Sequence, residues 1–93
     1  MSANDDLRGT LAALVAAQAN PPCAPSALDD LTPLFAGGLE VDSVGVLELV
    51  VSLEERFGVT LSAEEVGGES FATFGRLLAL VAGRRASDGG AIA

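Results

Sequence analysis

Histidine, lysine, tryptophan and tyrosine are all missing from this 93-residue chain, and Cys23 is its single cysteine. Without His or Lys, the usual bases that activate a serine nucleophile are absent, and a metal site built from Cys and His is excluded. One cysteine forms no internal disulfide, and among Pro21, Pro22 and Pro25 it reads as a small loop residue. A carboxylate pair working as acid and base needs a pocket that drives its pKa values apart, and this chain is short for one. An enzyme is therefore not expected. No apolar run approaches the roughly 18 residues that a membrane span requires. Asp5 and Asp6 stand where a secretory signal would carry positive charge. The expectation is a cytoplasmic protein that does not associate with membranes.

What is present is an acidic chain that can bury a core. The hydrophobic fraction is 49%, mainly Leu, Val and Ala, and fits one small domain with an aliphatic, helical interior. All five basic residues are arginine against 13 acidic residues, a formal net charge of -8. Between Asp29 and Glu69 only Arg56 interrupts the acidic side chains. Such a surface repels nucleic acid and accelerates the encounter with basic proteins.

Periodicity divides the chain into three substantial helices, one short helix and a long first loop, an all-α bundle over residues 1–85 followed by a flexible tail over 86–93. Asn4 can cap a first helix whose stripe is Leu7, Leu11, Leu14 and Val15, ending near Ala19 before the prolines. From Pro21 to Val41 there is no sustained period, and a loop of this length needs anchors: Leu28, Leu31, Leu34, Phe35 and Leu39 are the candidates. A second helix opens at Asp42 or Ser43 and stops at Gly58. Its expected core face is Val46, Leu47, Val50, Leu53 and Phe57, flanked by Leu49. Val44, Glu48, Val51 and Glu55 follow a neighbouring set of three- and four-residue steps, and the two valines either widen the core or face a partner. Ser62-Ala63-Glu64-Glu65 has capping-box form, Thr73 can cap a last helix with stripe Phe74, Leu77, Leu78 and Val81, and Gly83 is the expected stop.

Ser43 draws attention because it opens an acidic amphipathic helix directly after the long loop. A helix start offers unpaired N–H groups and a positive dipole end, which would stabilise a phosphate carried on Ser43. By residue type alone, Asp42-Ser43 is better explained as a helix cap. Gly45, an unfavourable residue inside a helix, would leave a gap beside Ser43.

Asp42-Ser43-Val44, followed by Glu48-Leu49, Leu53-Glu54-Glu55 and Phe57-Gly58, with Leu39 in front, resembles the Asp-Ser-Leu signature and recognition helix of acyl carrier proteins. The likeness is densest over residues 38–62, and helix order extends it over roughly 4–84. It implies a small four-helix acyl-carrier-like bundle. It also implies that a separate phosphopantetheinyl transferase, with its own magnesium, attaches 4′-phosphopantetheine to Ser43 within the flanking motif of Asp42 and Val44. The carrier would then hold acyl groups as thioesters on that arm and deliver them to partner enzymes. Val44, Gly45, Glu48, Val51, Glu55, Glu64 and Glu65 would dock partners bearing basic patches: the transferase, an acyltransferase or acyl/aminoacyl ligase, and a ketosynthase or other pathway enzyme. The chain would act as a monomer. Val44 in place of the usual leucine, Gly45, and the Ala-, Gly- and Arg-rich composition point away from housekeeping fatty acid synthesis, towards a discrete carrier for polyketide or related specialised-metabolite biosynthesis. The competing expectations are a peptidyl or aminoacyl carrier, an unmodified acidic helical adaptor for a basic partner, and, against the missing bases, a hydrolase using Ser43.

Overall fold

A computed structural model describes the backbone of residues 3–92 and the side chains of residues 7–85. Four helices follow in order: α1 (Ala3–Ala17), α2 (Ser43–Phe57), α3 (Ala63–Val66) and α4 (Phe74–Ile92), with 3-10 turns at Pro25–Ala27 and Glu69–Phe71. The described residues contain no strand, only an isolated bridge between Pro33 and Thr73. This is the expected all-α bundle with a long first loop.

The core is aliphatic with two buried phenylalanines. Leu7, Leu11 and Val15 of α1 meet Leu49 and Leu53 of α2, Phe71, and Phe74, Leu77 and Val81 of α4. The α1 pattern continues through Ala12 and Ala16, while Leu14 is half-buried at its edge. The helix opens at Ala3, so Asn4 lies inside it rather than capping it; the side chains of Asn4, Asp5 and Asp6 lie outside the described residues.

The long loop is held by backbone hydrogen bonds as much as by apolar anchors. Phe74 N donates to Thr32 O (2.9 Å), Gly75 N to Asp30 O (2.9 Å), and Leu34 N to Ala72 O (3.2 Å). The first N–H groups of α4, which have no partner within their own helix, are thus satisfied by the loop. Thr73 caps the same helix, its hydroxyl accepting from Arg76 N. Leu28 and Leu34 are buried, and Phe35 and Leu39 pack partly against the core. Leu31 is not an anchor. It is 83% exposed. The Asp29 carboxylate accepts from Leu31 N and Asp29 N donates to the Thr32 hydroxyl, forming a tight turn that throws Leu31 outward.

Gly83 does not end α4, which continues to Ile92 through much of the stretch read from sequence as a tail. The cost of one glycine, about 1 kcal/mol, is met by contacts just beyond it. Arg84 binds Thr60 O and the Glu65 carboxylate, and the Arg85 guanidinium lies 5.7 Å from the Phe57 ring centre. The side chains of residues 86–93 lie outside the described set.

Candidate functional site

Ser43 is the first residue of α2 and is exposed. The cap is Asp42: its carboxylate accepts from Gly45 N (2.7 Å) and its carbonyl from Val46 N (2.8 Å). This division of labour answers the ambiguity of an Asp-Ser pair. Asp42 satisfies the helix end, leaving the Ser43 hydroxyl free of that structural task. Among the described residues, no hydrogen bond engages that hydroxyl.

The position of Ser43 comes from the loop in front of it. Leu39 N donates to Pro33 O, Glu40 N to Phe35 O and Val41 N to Leu34 O, at 2.9, 3.2 and 2.9 Å. Val41 is buried. Ser43 therefore stands on the rim of an open, mostly apolar hollow of about 480 Å³. Phe35, Val41, Val46 and Leu47 line it from the loop and α2, and Val66 and Gly67 from the end of α3. The fit to a covalently attached arm is good: an accessible hydroxyl at a helix start, with apolar surface beside it and its neighbouring carboxylate hydrogen-bonded to the helix end.

Packing assigns the two faces of α2. Gly45, Leu49 and Leu53 are buried at four-residue steps, Leu49 and Leu53 to within 1%. Val46, Val50 and Phe57 border them. Leu47, expected in the core, is 67% exposed, and Leu49, expected only to flank it, is central. Val44, Leu47, Glu48, Val51 and Glu55 form one exposed stripe of alternating apolar and acidic character. A second shallow hollow, about 330 Å³, lies along it between Leu47, Glu48, Val51 and Ser52. The three- and four-residue spacing of Leu47 to Val44 and Val51 is the sequence signal for its place on this exposed stripe.

Two residues expected to dock partners are otherwise engaged. Gly45 faces inward: a Cβ there would meet Val41 Cγ1 at 3.2 Å, and Asp42 Oδ1 and Gln18 Oε1 at 3.3 Å each. The glycine is the close approach between α2, its own cap and the end of α1, so it offers no surface to a partner. Glu65 completes the capping box with Ser62 and pairs with Arg84. Glu64 is exposed, as are Glu48 and Glu55, with Glu48 touched by Gln18 Nε2 at 3.3 Å.

The Arg84 guanidinium, followed by the Ser62 N–H, holds the Glu65 carboxyl below its ordinary pKa. Between the lowered folded-state value and the unfolded one, the unfolded chain binds more protons. The stabilisation is therefore complete above the unfolded value of roughly 4.3 and disappears as pH falls through the folded value. In urea melts, wild type is expected to exceed Glu65→Gln in stability at neutral pH, with the gap closing in acid. A gap that stayed constant with pH would exclude the ionised carboxylate as its source.

Among the described residues, no three His, Cys, Asp or Glu side chains are grouped to hold a metal ion, and no helix is long and apolar enough to cross a membrane. A family model described as a phosphopantetheine attachment site matches residues 9–81. The chain is also similar to an acyl carrier protein of Renibacterium salmoninarum, with 31% identity over 86 residues, covering 92% of this chain and the whole of that protein.

Proposed function

This chain belongs to the acyl carrier protein family, the proteins with a phosphopantetheine attachment site, and from that premise we propose that Ser43 is the residue that carries the arm. Members of this family are carriers rather than enzymes. They work with a phosphopantetheinyl transferase and with the enzymes of their pathway. The observation that supports Ser43 is its exposed place at the start of α2, on the rim of an apolar hollow, with the capping role taken by Asp42. No His or Lys is available to activate the hydroxyl within the chain. The transferase supplies the base. The Ser43 oxygen bonds to the phosphorus bearing pantetheine as the bond to adenosine 3′,5′-bisphosphate breaks, and the hydroxyl proton passes to the transferase.

When attached, 4′-phosphopantetheine supplies a terminal thiol that holds an acyl group as a thioester. The chain's own residues present that cargo. Val44, Leu47 and Val51 supply apolar contacts, while Glu48, Glu55 and Glu64 attract basic docking patches on a transferase, an acyltransferase or acyl/aminoacyl ligase, and a ketosynthase. Weak docking with electrostatic steering suits repeated hand-over, because fast encounter is compatible with fast release. The working unit is a monomeric helical domain acting in the cytoplasm. The pathway is polyketide or related specialised-metabolite biosynthesis. The acidic stripe of α2 and the departures at Val44 and Gly45 support this over a peptidyl carrier and over housekeeping fatty acid synthesis.

Intact mass spectrometry after incubation with coenzyme A and a broad-specificity transferase is expected to show addition of one phosphopantetheine. An unchanged mass in the folded protein would overturn the assignment and leave an acidic adaptor. Glu48→Arg or Glu55→Arg is expected to lower kcat/KM for transfer to a partner several-fold at low salt, with the deficit shrinking as salt screens it. Equal kinetics at low salt would remove that face from docking.

A further inference from the structure

We propose that Asn20, which lies just beyond α1 and far from Ser43 in sequence, is a positioning residue for modification of Ser43; the inference rests on Ser43 being the attachment site. The segment that delivers Ser43 contains Glu40, whose backbone is left-handed at φ 55, the positive-φ residue other than glycine among the described residues. A glutamate does not hold that conformation without help, because its Cβ crowds the following carbonyl.

Asn20 provides the help at two points. Its backbone N–H donates to Leu39 O at 2.8 Å, and its side-chain Nδ2 donates to Glu40 O at 2.9 Å. The N–H groups of Leu39, Glu40 and Val41 meanwhile go to the Pro33–Phe35 stretch. The strand of chain leading to Ser43 is thus gripped from both sides, its carbonyls by the end of α1 and its N–H groups by the loop. Neighbouring Ala19 is buried and donates to Ala16 O, so Asn20 is itself mounted on the core.

Without the Asn20 amide, the Glu40 carbonyl loses its donor and the left-handed backbone relaxes. A dihedral change at position 40 re-aims everything up to the first turn of α2, which includes Ser43. Farther along the helix, Leu49 and Leu53 keep Glu48, Val51 and Glu55 of the docking stripe in place. Docking should therefore survive while the hydroxyl is misaligned for attack.

The test is steady-state phosphopantetheinylation of Asn20→Ala and Asn20→Asp by a broad-specificity transferase, at a temperature where circular dichroism shows both variants folded. Asn20→Asp keeps the side chain's size but removes the donor, and serves where Asn20→Ala fails to fold. The expected result is a fall in kcat of roughly five- to tenfold, as misplacement of a reacting group produces, with KM for the carrier within about twofold of wild type. Adding Glu40→Gly to either variant is expected to restore at least half of the lost kcat, because glycine adopts the left-handed backbone unaided. An unchanged kcat, a loss appearing only as raised KM through a smaller folded fraction, or failure of the Glu40→Gly rescue overturns the proposal. If wild type is modified normally and the variants match it, this inference falls alone; an unmodified wild type sinks the Ser43 assignment with it.

Discussion

Ser43→Ala is expected to abolish phosphopantetheine addition completely, leaving the mass of the protein unchanged after incubation with coenzyme A and a transferase. The other serines with described side chains offer no equivalent site. Ser62 is committed to the capping box of a four-residue helix, Ser52 is half-buried in the middle of α2, and Ser26 and Ser70 lie in 3-10 turns. Ser43 alone among them is exposed at the first position of a long helix, beside open apolar surface. The substitution should leave the fold intact, within about 0.5 kcal/mol, because Asp42 holds the cap. Asp42→Ala, by contrast, is expected to cost roughly 1 kcal/mol by exposing the Gly45 N–H that it accepts from. Residual addition to Ser43→Ala would place the arm on another residue.

The second large effect is on stability. Leu49→Ala and Leu53→Ala are each expected to destabilise the bundle by roughly 2 to 5 kcal/mol, the loss of buried methyl groups plus the cavity they leave. Both side chains belong to one buried cluster with residues of α1, α4 and Phe71, and that core contains no buried polar or charged residue among those described. Leu47→Ala is expected to change stability by no more than about 0.5 kcal/mol while weakening transfer to partner enzymes. Urea denaturation followed by circular dichroism separates the three variants. Equal losses at positions 47 and 49 would mean that the inward face of α2 has been misassigned.

That pair of leucines also shows where sequence stops being informative. On α2, apolar residues occupy positions 44, 46, 47, 49, 50, 51 and 53, which is most of the circumference. Three- and four-residue spacing fits an inward face containing Leu47 as well as one containing Leu49, and nothing local chooses between them. In the register observed, Gly45 lies where a Cβ would crowd Gln18, Val41 and the Asp42 carboxylate, and Leu49 and Leu53 follow it inward. Features that depend on neighbouring residues alone were legible. The Ser62–Glu65 capping box, the Gly58 stop with its left-handed backbone and the Thr73 cap all stand where the sequence puts them. Features that depend on distant partners were not. Glu65 was expected to face a partner until Arg84, nineteen residues on, is seen to bind it. Gly83 was expected to end α4 until the contacts of Arg84 and Arg85 carry the helix past it.

By itself the sequence determined that this protein is a small acidic helical domain without His or Lys, because residue types and local motifs suffice for those statements, while the carrier role rested on the resemblance carried by Asp42-Ser43-Val44 and the helix that follows. The absence of His and Lys removes the usual bases that activate a serine, whatever the fold. Only the tertiary structure decided which side of α2 faces outward, that Asp42 rather than Ser43 caps it, and that Asn20 grips the segment leading to Ser43. The physical reason is that an amphipathic helix acquires one inward face, and a left-handed glutamate one stable backbone, only when parts of the chain far apart in sequence close around them.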